Sequence, residues 1–242
     1  MDCGLWHGYK LVKEEFLGKE LYIACPDEKK CDGKWVLKTE YREAFPNTEL
    51  KLLEKGYHVV HLKNRSRWYP EDDVLDHAAL CRYMHEEKGL SEKCVIVGMS
   101  CGGCQGVIFA AQYPQYVSCM YLDAPVIDFL SVVAGFGNRK NNGNMMTEFS
   151  NAMGIDKIGL LSYRKHPLDY IPKLVKSRIP VVLVAGDSDK VVVYEENGKL
   201  LYDAYVDAGI EIQLHMKKGC DHHPHGLEDP TPVVQFIMKH DK

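Results

Sequence analysis

Short runs of consecutive apolar residues recur along the chain: Trp35-Val36-Leu37, Val95-Ile96-Val97 and Pro180-Val181-Val182-Leu183-Val184-Ala185, with positions 117–122 a similar run broken only by Ser118. Such runs are rich in β-branched residues and bounded by turn formers, so they predict strands buried on both faces. Positions 57–62 predict another. Near the start, Tyr9–Phe16 and 20–25 are joined through Leu17-Gly18-Lys19 and predict a hairpin. Positions 211–216 alternate as a last strand. Between these runs the apolar spacing becomes helical. Leu50, Leu52 and Leu53 follow a cap at Asn47 or Thr48 and stop at Gly56. Pro70 opens a helix carrying Val74, Ala78, Cys81 and Met84 and ending at Gly89. Small residues fill 103–111, and 232–240 predict a final helix. The polar stretch 27–33 predicts a loop. Strands alternating with helices after a hairpin predict one α/β domain over 1–242, a mostly parallel twisted sheet with helices on both faces.

One segment breaks the rhythm. Positions 127–170 are too long for a simple connection between strands. They contain Gly137-Asn138-Arg139-Lys140-Asn141-Asn142-Gly143-Asn144, which cannot build a core element. The segment predicts an insertion over the carboxyl edge of the sheet, a lid or cap.

Composition narrows the function class. Of 242 residues, 45% are hydrophobic and 26% charged, ordinary for a globular chain. The formal net charge of -4 gives no electrostatic reason to expect a nucleic-acid or membrane partner. No apolar window reaches transmembrane length. The start of the sequence has neither the basic nor the apolar region of a signal peptide, which predicts a cytoplasmic protein. The nine cysteines, an odd number, fit reduced thiols used largely as small apolar residues. Cys101-Gly102-Gly103-Cys104 has no second pair at zinc-ligand spacing, so neither metal nor redox chemistry is expected there.

The chemistry centres on Gly98-Met99-Ser100-Cys101-Gly102, between a predicted strand and a predicted helix. In that context G-x-S-x-G means a nucleophile elbow, a sharp turn exposing the serine hydroxyl at the sheet edge. The glycines are expected where a Cβ would strike the crossing strand and helix. Downstream lie Gly186-Asp187-Ser188-Asp189 after one strand and Gly219-Cys220-Asp221-His222-His223-Pro224-His225 after the last. Either Asp187 or Asp189, and any of His222, His223 and His225, is a candidate partner for Ser100. The order Ser, Asp, His has room for one helix and one strand between acid and base. Because successive turn residues point apart, the three histidines are not expected to form a metal site.

Together, Gly98-Met99-Ser100-Cys101-Gly102, Gly186-Asp187-Ser188-Asp189 and His222 resemble the α/β-hydrolase superfamily over nearly the whole chain. Trp35-Val36-Leu37-Lys38-Thr39-Glu40, Asp123-Ala124-Pro125, His222-His223-Pro224-His225 and Asp229-Pro230-Thr231-Pro232 resemble small bacterial hydrolases, esterase-like or prolyl-oligopeptidase-like. The frequent His-Gly segment of the superfamily is replaced here by Lys38-Thr39, and the residue after the nucleophile is Cys101. The resemblance implies Ser100 as nucleophile, His222 as base and Asp189 as its support, with Asp187 a turn residue. It implies an oxyanion hole built from the backbone N–H groups of Cys101 and Glu40, with Tyr41 as the alternative to Glu40. The Glu40 side chain is expected to turn aside, toward Arg42 or a polar substrate group. Trp68, Tyr69 and Tyr41 are candidate substrate contacts, and Phe129, Phe136, Tyr163 and Tyr170 are candidates to close the pocket.

The function these readings imply is a serine carboxylic ester hydrolase working through an acyl-enzyme. Its expected substrate is a short-acyl ester of a sugar or aryl alcohol, with no cofactor and no metal. Two alternatives stand beside it. One is an aminopeptidase or amidase on the same residues, with Glu40, Asp72 or Asp73 holding a substrate amine. The other is a catalytically silent binding protein of the same fold. Oligomeric state is not legible.

Overall fold

The structure, a computed structural model, describes residues 2–138, 140 and 143–242. Of the positions named above, Arg139, Asn141 and Asn142 lie outside the described residues. The strands are β1 (Asp2–Trp6), β2 (Tyr9–Phe16), β3 (Lys19–Ala24), β4 (Trp35–Lys38), β5 (His58–Leu62), β6 (Cys94–Met99), β7 (Val117–Asp123), β8 (Val181–Gly186) and β9 (Ile212–Lys217). They form one sheet in the order β1-β2-β3-β5-β4-β6-β7-β8-β9. The β1, β2, β3 and β5 neighbours pair antiparallel, and every pair from β5 to β9 is parallel.

Side chains of the central strands alternate between two cores, as the two-residue period of a strand requires. Leu37, Ile96, Leu122 and Leu183 pack on one face with α2 (Glu71–Glu86), α3 (Cys101–Gln112), α7 (Pro167–Ser177) and α8 (Gly198–Asp207). The intervening Val36, Val95, Val97, Val182 and Val184 pack on the other with α1 (Asn47–Glu54) and α9 (Thr231–His240). Burial on both faces is why these strands read as continuous apolar runs. The predicted α/β class, parallel sheet and N-terminal hairpin all match this arrangement.

Two local features differ from the sequence reading. β1 was not expected, because Asp2-Cys3-Gly4-Leu5 contains no β-branched residue. It pairs with β2 across His7-Gly8, whose φ angles of 49° and 88° make a turn matched to strand twist. At α1 neither Asn47 nor Thr48 caps the helix with its side chain. Thr48 and Glu49 are instead buried, and Glu49 pairs with the buried Lys38 ammonium, which also donates to Ala44 O at 2.7 Å. That interaction fastens the loop leaving β4 to α1.

The excursion between β7 and β8 is helical: α4 (Phe129–Val132), α5 (Met145–Met153) and α6 (Lys157–Ser162) precede α7. Its apolar residues, Phe129, Val132, Phe149 and Leu160, gather around Trp68 and the first turn of α3. Polar ties fix its start and α5. Asn197 Oδ1 accepts from the N–H of Ile127 and Asp128, and Arg67 donates to Glu148 at 2.5 Å. Tyr170, the far bound expected for the insertion, lies within α7, which packs on α3 as a core helix. Among the described residues no helix is long and apolar enough to cross a membrane.

Candidate active site

β6 ends in the elbow. Ser100 has φ 51° and ψ −117°, a left-handed conformation that costs a non-glycine residue about 1–3 kcal/mol and needs support from its surroundings. That support comes from the neighbouring strand and loop. Ser100 N–H donates to Asp123 O at 2.9 Å, and Ser100 O accepts from Gly103 and Val126 at 3.0 Å each. A Cβ on Gly98 would lie 2.6 Å from Gly102 O, so the expected need for glycine there holds. The tightest glycine of the elbow falls outside the pentapeptide: a Cβ on Gly103 would lie 2.4 Å from Pro125 Cβ.

Three loops meet Ser100 at the carboxyl edge. Ser100 Oγ lies 3.0 Å from His222 Nε2, and His222 Nδ1 lies 2.7 Å from Asp189 Oδ2. A carboxylate accepts only, so Nδ1 carries the imidazole proton and Nε2 presents its lone pair to the serine hydroxyl. Asp189 Oδ1 accepts from the N–H groups of Val191 and Val192 at 2.8 Å each, which fixes the carboxylate plane. Both Asp189 and His222 are buried. Asp187 has a different job: its Oδ1 accepts from Gly219 N–H at 2.6 Å, tying the two loops together. Asp221 is held below the usual carboxylate range by the N–H groups of Lys190 and His222 that it accepts. It thus orients the loop that carries the imidazole.

The other two histidines are sorted by their partners. His225 Nδ1 lies 2.7 Å from Asp123 Oδ1, whose second oxygen accepts from Gly226 N–H at 2.6 Å and Tyr121 OH at 3.1 Å. His223 is exposed and stacks on Phe45, 5.6 Å between centroids. Of the three, only His222 hydrogen-bonds Ser100. The expectation that these rings point apart is corrected. Anchored by Asp189, Phe45 and Asp123, they converge, with centroids 4.7 to 4.9 Å apart. The Asp123–His225 pair escaped sequence reasoning because its members lie 102 residues apart.

The backbone donors come from two places. Cys101 N–H opens α3, so no carbonyl one turn earlier in the helix accepts it, and the helix dipole favours negative charge there. The loop leaving β4 runs beside it: a Cβ on Gly102 would lie 3.4 Å from Glu40 N. Thr39 Oγ1 donates to Gly102 O at 2.7 Å and Asn64 Nδ2 donates to Thr39 O at 2.7 Å, holding the two segments in register. Asn64 carries no motif, and Thr39 entered the sequence reading only as part of the Lys38-Thr39 replacement, with no role of its own.

The Glu40 carboxylate does not meet Arg42, which instead pairs with Glu43 and lies over the Tyr22 ring. Its Oε2 accepts from Gln105 Nε2 at 2.7 Å and Asn64 Nδ2 at 3.0 Å. With Tyr41 it lines a groove of about 740 Å³ bordered by Asn64, Arg67, Asp72 and Glu148. Tyr41 is half-buried, and burial pushes its phenol well above the ordinary range. Trp68 and Tyr69 are both buried. Trp68 packs against Phe129 and Phe149, whereas Tyr69, whose OH lies 2.7 Å from His77 Nδ1, also lines a cavity. Of the four insertion aromatics, Phe129 is buried and Phe136 is exposed under the Lys157 ammonium. Tyr163 and Tyr170 line a separate cavity of about 290 Å³.

Cys101 and Cys104 are buried and unpaired, and burial raises both thiols above their usual range. Only a thiolate attacks or binds metal readily, so neither sulfur is set up for chemistry. Cys101→Ala and Cys104→Ala are each expected to keep most hydrolytic activity, measured with a chromogenic ester or anilide beside a thermal melt. Loss of turnover in either variant at unchanged melting temperature would restore the thiol reading.

The chain superposes on much larger peptidases and on an enzyme of its own size. It is similar to Porphyromonas gingivalis dipeptidyl peptidase 4, with 15% identity, a TM-score of 0.69, and 96% of this chain against 35% of that one. It is similar to a Mycobacterium tuberculosis puromycin-hydrolyzing peptidase, with 15% identity, a TM-score of 0.68, and 95% against 38%. Thermogutta terrifontis esterase 2 gives 14% identity, a TM-score of 0.67, and 96% against 95%. At such identities the likeness shows the fold, and the chain spans little more than a third of either peptidase. Among curated proteins none matches. The prolyl oligopeptidase family matches residues 61–236, close to three quarters of the sequence and a span that holds Ser100, Asp189 and His222. On that match the chain belongs to the prolyl oligopeptidase family, within the α/β-hydrolase superfamily.

Proposed function

We propose that this chain hydrolyses acyl compounds through a Ser100 acyl-enzyme. The observation that carries this reading is the continuous set of contacts from Asp189 through His222 to Ser100 Oγ, 2.7 and 3.0 Å. His222 Nε2 takes the serine proton as Oγ attacks the carbonyl carbon, and the tetrahedral oxyanion is held by Cys101 and Glu40 N–H. The imidazolium, supported by Asp189, then protonates the leaving group. Water repeats the sequence in reverse roles to free the acid. No step requires a cofactor. The helical insertion acts as a lid over the groove.

For the scissile bond, we propose an amide with a free amine nearby in preference to the ester expected from sequence. Family membership and the peptidases among the structural likenesses support that choice. So does Glu40, whose carboxylate is braced by two neutral amides beside the oxyanion donors and forms no ion pair among the described residues. Asp73, the buried one of the three candidates, is already committed to Lys19 and Arg65. A panel of p-nitrophenyl esters, aminoacyl p-nitroanilides and N-acylated anilides tests this. Glu40→Gln is expected to raise KM for free-amine anilides about tenfold, one lost charge interaction of roughly 1.4 kcal/mol, and to leave the esters nearly unchanged. Ester turnover with no anilide turnover would return the substrate to the ester class.

A further inference from the structure

The convergence of His222, His223 and His225 has chemical content beyond hydrolysis. Each ring offers a nitrogen, and the three ligand atoms lie within 4.8 Å of one another. We propose that these three imidazoles form a binding site for a divalent transition metal of the zinc class, and that the ion silences the hydrolase by occupying its base. The inhibitory half of this proposal rests on the reading of His222 as that base.

Two features make the cluster a site and not only a crowd of rings. His222 and His225 each direct Nδ1 at a buried carboxylate, Asp189 and Asp123, at 2.7 Å. Zinc-bound histidines almost always carry such a partner on the nitrogen away from the metal, because it fixes the ring and raises the basicity of the ligating nitrogen. Both Nε2 atoms are thereby left for an ion. His223 closes the cluster from the exposed side, so the third ligand also marks the entry path. Zinc–nitrogen bonds of about 2.0–2.1 Å in tetrahedral geometry need the nitrogens closer together than they stand here. The exposed His223 side chain can supply much of that movement, since among the described residues its ring contacts are with Phe45 and the neighbouring imidazoles.

Ligation and catalysis compete for one atom. His222 Nε2 either faces Ser100 Oγ at 3.0 Å or binds the ion; its lone pair cannot do both. No redox change or covalent step is involved. Three neutral imidazoles donate lone pairs, the Ser100–His222 hydrogen bond is given up, and the fourth position is open to water. The arrangement accounts for a second Asp–His pair beside the first, which the hydrolytic steps do not use.

The test uses zinc alone in a buffer that does not chelate it. Wild-type hydrolysis is expected to fall at least tenfold at micromolar zinc and to recover on adding EDTA. His223→Ala touches neither Ser100 nor Asp189. It is expected to keep its basal rate while the inhibitory zinc concentration rises more than about tenfold, the smallest loss seen when even an outer partner of a zinc ligand is removed. A second readout is independent of turnover. Cobalt(II) added to Ser100→Ala should give the intense visible absorption of a four-coordinate ion, and Ser100→Ala/His223→Ala should lose it. Equal zinc inhibition of wild type and His223→Ala would overturn the proposal, as would absence of the cobalt band. A cobalt band in a protein that hydrolyses nothing would uphold the metal site and defeat the hydrolase reading instead.

Discussion

Ser100→Ala is expected to lower kcat by about 10⁶-fold while leaving the melting temperature close to that of the wild type. The first half follows from the nucleophile's place in a unit: without Oγ, the His222–Asp189 pair has nothing to activate, and losses of this size attend removal of a serine nucleophile. The second half follows from the contacts. Among the described residues the side chain of Ser100 makes one hydrogen bond, to His222, whereas its backbone carries the bonds to Asp123, Gly103 and Val126 that hold the elbow. Alanine keeps every one of those backbone bonds. Turnover of the best substrate, measured beside a thermal melt, checks both halves. Activity within tenfold of the wild type would remove Ser100 from the chemistry.

The second large effect concerns the acid. Asp189→Asn is expected to cost about 10⁴ in kcat. An asparagine amide placed 2.7 Å from His222 Nδ1 can donate to it, which favours the tautomer with its proton on Nε2 and turns a donor toward Ser100 Oγ. The fold is expected to survive, because the amide oxygen still accepts from Val191 and Val192. Asp187→Asn is the internal control. Its carboxylate serves the Gly219 N–H, so its loss is expected to appear in the melt and hardly in turnover. His225→Ala likewise acts on stability, by leaving the buried Asp123 carboxylate without its imidazole partner. The measurement is kcat/KM for the three variants with matched unfolding curves. A dead Asp187→Asn beside an active Asp189→Asn would exchange the roles of the two aspartates.

How legible these features were depended on whether local sequence or distant partners decided them. β4, β6 and β8 were readable because burial on both faces leaves a continuous apolar run that few other elements produce, and β7 because only Ser118 interrupts such a run. The elbow was readable because backbone sterics at Gly98 fix residue type locally. Asp189 and His222 were narrowed to one each only by resemblance, since spacing alone permitted Asp187, His223 and His225. What escaped was set across long separations. The three histidines converge because Asp189, Phe45 and Asp123, far away in sequence, hold one ring each. Trp68, expected as a surface for substrate, is buried because Phe129 and Phe149 of the insertion cover it. The cap expected from Asn47 or Thr48 failed because burial of Glu49 against Lys38 sets the start of α1. Neither the helices of the insertion nor β1 carried a strong pattern, and both are held largely by what they pack or pair against.

The central claim, that Ser100 is the atom acylated and His222 makes it reactive, is tested most directly by covalent labelling. A fluorophosphonate reacts with an activated serine and adds one mass increment per chain. The account predicts a single adduct on the wild-type peptide that contains Ser100, and no adduct on folded Ser100→Ala or His222→Ala over the same time. An adduct on Cys101, Cys104 or a different serine, or equal labelling of His222→Ala, would contradict it.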